Sequence, residues 1–301
     1  MSFVKLGGIE FTSPILVASG TYGYGHESAQ IVDVNKIGGI VTKSVTRHPR
    51  EGNPPPRITE TSSGMLNSIG LANLGVEEYC QSKLPYLNEL KTNVIINVAG
   101  TAIDDYVETL QILENSGGNH VGYEINISCP NVKDGGMEFG VDKETTYRLI
   151  SEIRQLTNKI IIVKLTPNVT DISEIAIAAE NAGADAISAV NTFQGLSIDY
   201  LTGKMLLSTK IGGVSGPPIK PLALAKINKI YEKVKIPIIG MGGISNIQDI
   251  IEFIRVGSSM IQVGTLNYRD PSIICTFYDK LVQFLNKKNI SDLSDLIGNY
   301  H

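Results

Sequence analysis

Eight short apolar runs, helix-like segments between them, and two long insertions that each follow a run predict an α/β fold of the (β/α)8 TIM-barrel class. The insertions are expected at the C-terminal face of the strands. The runs cover 15–18, 39–42, 94–98, 123–125, 160–165, 186–190, 237–240 and 260–263. They are apolar on successive residues rather than alternating, as parallel strands covered on both faces are. A doubly wound sheet would use similar strands, and the count of eight favours the barrel. All 301 residues are expected to form one domain.

The helices are clearest in the second half. Segment 171–182 carries Ile172, Ile175 and Ile177, then stops at Gly183. Segment 222–234 follows Pro221 and places Leu224, Ile227 and Ile230 on one face. Segment 246–256 carries Ile247, Ile250, Ile251 and Ile254 and ends before Gly257. Asp, Asn or Pro at the start and glycine at the end are the expected caps and stops. The insertions span 42–92, with Asn53-Pro54-Pro55-Pro56, and 191–216. Long connections in a compact domain are usually functional.

Composition narrows the function. Lys and Arg number 26 against 30 Asp and Glu, a net charge of -4, which argues against a nucleic-acid binder. The N-terminus lacks the apolar core of a signal peptide, and no run approaches the ~20 apolar residues of a membrane span. The three cysteines, Cys80, Cys129 and Cys275, form no C-x-x-C pair, so neither a disulfide framework nor a cysteine-held cluster is expected on this chain. The four histidines make no metal-ligand spacing with a carboxylate. A reduced cytoplasmic setting fits best.

Chemistry concentrates at the ends of the strands. Asn126-Ile127-Ser128-Cys129-Pro130-Asn131 puts two amides, a hydroxyl and a thiol on a turn stiffened by proline. A cysteine alone near a turn is more often a buried side chain. These neighbours favour a nucleophile or base. Gly240-Met241-Gly242-Gly243 and Gly264-Thr265 follow the last two strands, where barrels often bind phosphate. FMN suits such a site. Lys43 stands at the exit of the second strand and Lys164 near the end of the fifth. A lysine inside an apolar strand needs an anion or polar ligand, unless its stem snorkels to the strand end. A cation there would stabilise anionic reduced flavin. Asn67, Asn97, Asn126 and Asn191 are each ordinary turn formers alone. Converging on one face, their amides suit a pyrimidine or flavin ring.

These motifs, in this order, resemble the class 1 dihydroorotate dehydrogenases over nearly the whole chain. The matching segments are Ala18-Ser19-Gly20, Lys43-Ser44, Gly64-Met65-Leu66-Asn67-Ser68-Ile69-Gly70-Leu71, the Asn126 to Asn131 turn with Val132-Lys133, and Val163-Lys164-Leu165-Thr166-Pro167-Asn168. Val190-Asn191-Thr192, Gly213-Val214-Ser215-Gly216 and the two glycine loops complete the set. The continuation Asp134-Gly135-Gly136-Met137-Glu138-Phe139-Gly140 looks most like the NAD-linked class 1B. The chain departs from the family at Ala72-Asn73-Leu74-Gly75, where Gln-Asn-Pro-Gly is common.

The resemblance implies oxidation of (S)-dihydroorotate to orotate in de novo pyrimidine (UMP) biosynthesis, with Cys129 as base and FMN as hydride acceptor. It implies substrate contacts from Lys43, Asn67, Ser68, Ile69, Gly70, Leu71, Asn126, Asn191 and Thr192. It implies FMN contacts from Ser19, Lys43, Ser44, Asn97, Asn126, Lys164, Val190, Gly216, Gly242, Gly243, Gly264 and Thr265, with 131–140 as a lid. It also implies a homodimer that joins an electron-transfer subunit carrying FAD and a [2Fe-2S] cluster in a heterotetramer. The alternatives are the fumarate-linked class 1A and a barrel that binds a phosphoryl ligand without catalysis. Cys80, Cys275 and the tail 291–301 carry no functional reading.

Overall fold

Stretches such as Ile160–Lys164, with four β-branched residues in five, suit a pleated surface buried on both sides. In the computed structural model, which describes residues 4–128 and 139–301, every apolar run becomes a strand. The strands are Ile15–Val17, Gly39–Val41, Asn93–Val98, Gly122–Asn126, Ile160–Lys164, Ala186–Ala189, Ile238–Gly240 and Met260–Val263. Each pairs in parallel with the next in chain order, and the eighth pairs with the first, so the barrel closes.

The two faces of this cylinder are packed separately. Outward side chains such as Val17, Ile40, Ile96, Ile161 and Ile187 join the surrounding helices in one core. Inward side chains, among them Leu16, Val41, Ile95, Ile162, Ala186 and Met260, form a second core with Leu6 and Phe11. Leu6 and Phe11 come from a hairpin, Val4–Leu6 with Ile9–Phe11, that plugs the N-terminal end. Gly7 (φ 54°) and Gly8 (φ 82°) make its turn, where left-handed backbone favours glycine.

The helices largely follow the expected pattern. Asp171 caps Ile172–Asn181 by accepting from the Ser173 N–H. Asn246 and Asp249 form a reciprocal capping box on Ile247–Arg255. The expected helix 222–234 instead spans Lys220–Tyr231, because proline fits inside the first turn and does not have to precede it.

The insertions are more ordered than long loops. The first contributes strands Ile58–Glu60 and Met65–Asn67 and helices Val76–Ser82 and Leu84–Glu89. The second contributes strands Phe193–Gly195 and Gly212–Ser215. Together they build one four-stranded antiparallel sheet, with Asn67 opposite Gly213 and Leu66 opposite Val214. Thr265 Oγ1 donates to Ser215 Oγ at 2.8 Å, which ties this sheet to the loop after the eighth strand. The sheet therefore lies over the C-terminal mouth, as the insertions' positions predict.

Candidate functional site

Side chains alternate along a strand, so the inward rows can be followed toward the mouth. Asn97 follows Ile95, Lys164 follows Ile162, Ser188 follows Ala186 and Gln262 follows Met260. The apolar interior thus ends in a polar layer. Its centre is Glu124, which is fully buried. Glu124 Oε1 accepts from Asn97 Nδ2 at 2.7 Å and faces Lys164 Nζ at 3.5 Å. Oε2 accepts from Ser188 Oγ at 2.8 Å and Gln262 Nε2 at 2.7 Å. A carboxylate surrounded only by donors, one of them cationic, is a satisfied buried charge. The anion that Lys164 was expected to meet is thus supplied by the chain itself.

The layer is incomplete on its other side. Among the described residues, Asn97 Oδ1, Gln262 Oε1 and, on the first insertion, Ser68 Oγ are buried without a hydrogen-bond partner. An unpaired buried polar atom costs about 1–3 kcal/mol, so each of these atoms is a local cost to the fold as it stands.

Three loops converge beside this layer. Gly216 (φ 95°) follows the sheet, Gly242 (φ 123°) and Gly243 (φ 81°) follow the seventh strand, and Gly264 and Thr265 follow the eighth. At Gly243 a Cβ would sit 2.7 Å from the Lys220 N and 2.9 Å from the Gly216 O, so only glycine lets this loop pack on the start of helix Lys220–Tyr231. Around Gly264 such a Cβ would meet Ala18 Cβ at 3.6 Å, an ordinary van der Waals contact. Among the described residues, no protein acceptor takes the backbone N–H groups of Gly242, Gly243, Gly264 or Thr265. Free N–H groups beside a helix N-terminus favour an anion. Asp249 braces the cradle from behind by accepting from Ser245 N, Ser245 Oγ and Lys220 Nζ at 2.8, 2.8 and 2.7 Å.

Lys43 continues the inward row above Val41. Burial, with the Arg57 charge adding to it, pulls its ammonium below the usual lysine range, although Glu27 opposes this. It is a desolvated cation ready for an anionic partner. Ser44 is buried beside it, and Ser19 is half-buried where the first strand leaves the barrel. Asn67 donates to the Gly213 O at 3.3 Å, on the sheet above.

Gly70 and Leu71 both have left-handed backbone (φ 75° and 58°), a conformation costly for leucine. Asn73 holds the turn that follows. Its Oδ1 accepts from Gly75 N at 2.8 Å and Thr46 N at 3.2 Å, while Nδ2 donates to Leu71 O at 2.7 Å and Thr46 Oγ1 at 2.8 Å. These four bonds shape the loop.

Asn126 is buried at the exit of the fourth strand, where its carbonyl accepts from Tyr106 OH at 2.9 Å and its Oδ1 from Ser128 N at 3.3 Å. Ser128 Oγ donates to the Lys164 O at 3.0 Å, so the chain leaves toward position 129 from a fixed point. Cys129 and the lid segment 131–138 lie outside the described residues. Asn191 N donates to Leu165 O at 3.0 Å, and Asn168 Nδ2 to Thr192 O at 3.0 Å, which moors that pair to the fifth strand. Val190 is buried, and its N–H donates to Met241 O at 3.0 Å.

Sequence reasoning missed Glu124, Ser188 and Gln262. Each sits inside a run treated as uniformly apolar. Glu124, like Lys164, is a charge inside an apolar strand and needs a partner there.

The fold and its mouth define a class: a (β/α)8 barrel whose C-terminal mouth sets a floor of amides and a buried lysine beside glycine loops with free N–H groups. Residues 1–285 match the family Dihydroorotate dehydrogenase, and the chain belongs to that family. It is 44% identical over 295 residues to the dihydroorotate dehydrogenase B (NAD(+)), catalytic subunit, of Bacteroides thetaiotaomicron, covering 98% of this chain and 97% of that protein. The catalytic subunit of the same name from Caldicellulosiruptor saccharolyticus is 43% identical over 296 residues, covering 98% of each. The crystal structure of DHODH from Eimeria tenella in complex with ferulenol has the same fold. It aligns with a TM-score of 0.80 at 22% identity, over 98% of this chain and 87% of that one.

Proposed function

We propose that this chain oxidises (S)-dihydroorotate to orotate in de novo pyrimidine biosynthesis, as the FMN-holding catalytic subunit of an NAD-linked dihydroorotate dehydrogenase. The observation that carries this reading is the buried Lys164–Asn97 floor set beside the glycine cradle at one barrel mouth. The residues present fit FMN. The free N–H groups of the loops suit its phosphate, while the unpartnered acceptors and Lys164 suit a ring edge with N–H and C=O groups.

Ser19, Lys43, Ser44, Asn97, Asn126, Lys164, Val190, Gly216, Gly242, Gly243, Gly264 and Thr265 would hold FMN. When bound, it supplies the acceptor for the hydride that leaves C6 of the substrate. Lys43, Asn67, the 68–71 backbone, Asn126, Asn191 and Thr192 orient dihydroorotate, with Lys43 countering its carboxylate. Cys129 takes the C5 proton as thiolate, so the substrate loses one proton and one hydride and becomes orotate.

Electrons leave through a second subunit carrying FAD and a [2Fe-2S] cluster, and NAD is the final acceptor. The relatives' designation as catalytic subunits supports such a partner. Leu196, Ile198, Tyr200 and Leu201 are exposed on the second insertion, an apolar surface suited to burial in a homodimer at the centre of a heterotetramer. Among the described residues no helix is long and apolar enough to cross a membrane. After anaerobic reduction with dihydroorotate, the isolated chain should not be reoxidised by NAD⁺ until the partner subunit is added. Rapid reoxidation by fumarate would move the chain to the fumarate-linked class.

A further inference from the structure

Glu124 has no place in the roles above, yet it organises the floor of the site. Five strands deliver the layer: Asn97 from the third, Glu124 from the fourth, Lys164 from the fifth, Ser188 from the sixth and Gln262 from the eighth. A carboxylate can only accept hydrogen bonds. Its oxygens therefore consume the NH2 groups of Asn97 and Gln262 and turn both amide carbonyls away from it. Those carbonyls are the two unpartnered acceptors of the floor. At 3.5 Å, Lys164 is farther from Glu124 than the ~2.7–2.9 Å of a strong charge-assisted bond. Its ammonium keeps donors for a second partner.

We propose that Glu124 is a positioning residue for the flavin: it sets which face of the Asn97 and Gln262 amides the ring meets, and it offsets the charge of Lys164. This inference rests on the FMN reading above. With Glu124 ionised, the layer carries one anion and one cation and sums to zero. Glutamine at this position would have one acceptor oxygen and an NH2 that must donate. It cannot serve four donors, so an amide of the layer has to turn over. It would also leave Lys164 uncompensated in the floor, and an uncompensated cation there would favour an anionic reduced flavin over the neutral oxidised form.

The test is the midpoint potential of bound FMN, measured by anaerobic spectroelectrochemistry on the flavin-loaded wild-type protein and on Glu124→Gln. The variant should bind FMN and show a potential raised by about 30 mV or more, which is a tenfold change for a two-electron couple. Glu124→Asp, which retains the charge, should return the potential most of the way to the wild-type value. Ser188→Ala removes one neutral donor from Oε2 and almost no volume, so the carboxylate is less compensated and the potential should fall. If Glu124→Gln does not fold, Ser188→Ala decides alone, with a lowered potential as support and an unchanged one as refutation. A folded Glu124→Gln with altered thermal stability but the wild-type potential reduces Glu124 to a structural residue and overturns the inference. A wild-type chain that binds no flavin defeats the FMN reading itself, a separate and recognisable result.

Discussion

Glu124 and Lys164 face each other across 3.5 Å in a barrel interior that is otherwise apolar below them. Their strands are adjacent, with Glu124 paired to Ile162 and Asn126 to Lys164. The lysine therefore lies one inward step nearer the mouth than the carboxylate. That offset turns a buried ion pair, which on its own does little for stability, into a cation presented upward.

Lys164→Ala should weaken FMN binding by about tenfold or more, roughly 1.4 kcal/mol, and lower the potential of whatever flavin remains. It also leaves Glu124 without its cation, so some loss of thermal stability should accompany the change. Flavin fluorescence titration and spectroelectrochemistry check this. Full retention of affinity and potential would make Lys164 purely structural.

Cys129→Ser should keep FMN but slow its reduction by dihydroorotate severely, because a hydroxyl is a far weaker acid than a thiol. A free thiol ionises near pH ~8.5, so the wild-type reduction rate should rise with pH toward that range. Stopped-flow traces of flavin bleaching report both effects. An unchanged rate in the variant contradicts the assignment of the base.

Lys43 should make orotate binding pH-dependent. Burial and Arg57 depress its ammonium in the free protein, and a bound carboxylate would favour the charged form. Binding should therefore draw in protons and weaken as pH rises through the lowered range of Lys43. Lys43→Arg keeps its charge there and should flatten that slope. Calorimetry in buffers of different ionisation enthalpy measures the proton uptake directly. No proton uptake by the wild type, or an equal slope in the variant, would contradict the role.

A second, partly buried cluster near the N-terminal end of the barrel should contribute to acid sensitivity. Tyr123 OH donates to Glu114 at 2.6 Å and lies 2.7 Å from His120 Nε2, so the histidine supplies that proton. Burial, helped by Lys159 and opposed by Glu114, lowers His120 from 6.5 to about 4. The unfolded chain thus binds more protons between these values, and stability rises with pH across that window. As pH falls through it, about 3 kcal/mol should be lost. Glu114 adds to the loss below its usual range. Burial alone would raise it, but bonds from Tyr123, Lys159 and Thr157 outweigh that and hold it low. Urea denaturation at a series of pH values should show the decline, and His120→Leu should make it shallower.

The barrel was legible because fully buried parallel strands such as Ile160–Lys164 are largely apolar on successive residues, and because eight such runs alternate with helix-like segments. The hairpin Val4–Leu6 with Ile9–Phe11 was not, because strands of three residues carry too little pattern. The four-stranded sheet over the mouth escaped because its strands are equally short and its pairing joins segments far apart, such as Asn67 and Gly213, 146 residues from each other. At the site, residues at strand exits, such as Lys43 and Asn126, announced themselves by position. Glu124, Ser188 and Gln262 did not, since a polar residue inside a hydrophobic run looks like an interruption until its partners on neighbouring strands are known.

The most direct test of the central claim is an anaerobic titration of the purified, FMN-loaded chain with dihydroorotate, following flavin absorbance and orotate together. The account expects the yellow spectrum to bleach with one orotate formed per flavin reduced. A chain that holds FMN but is neither bleached nor yields orotate would contradict it.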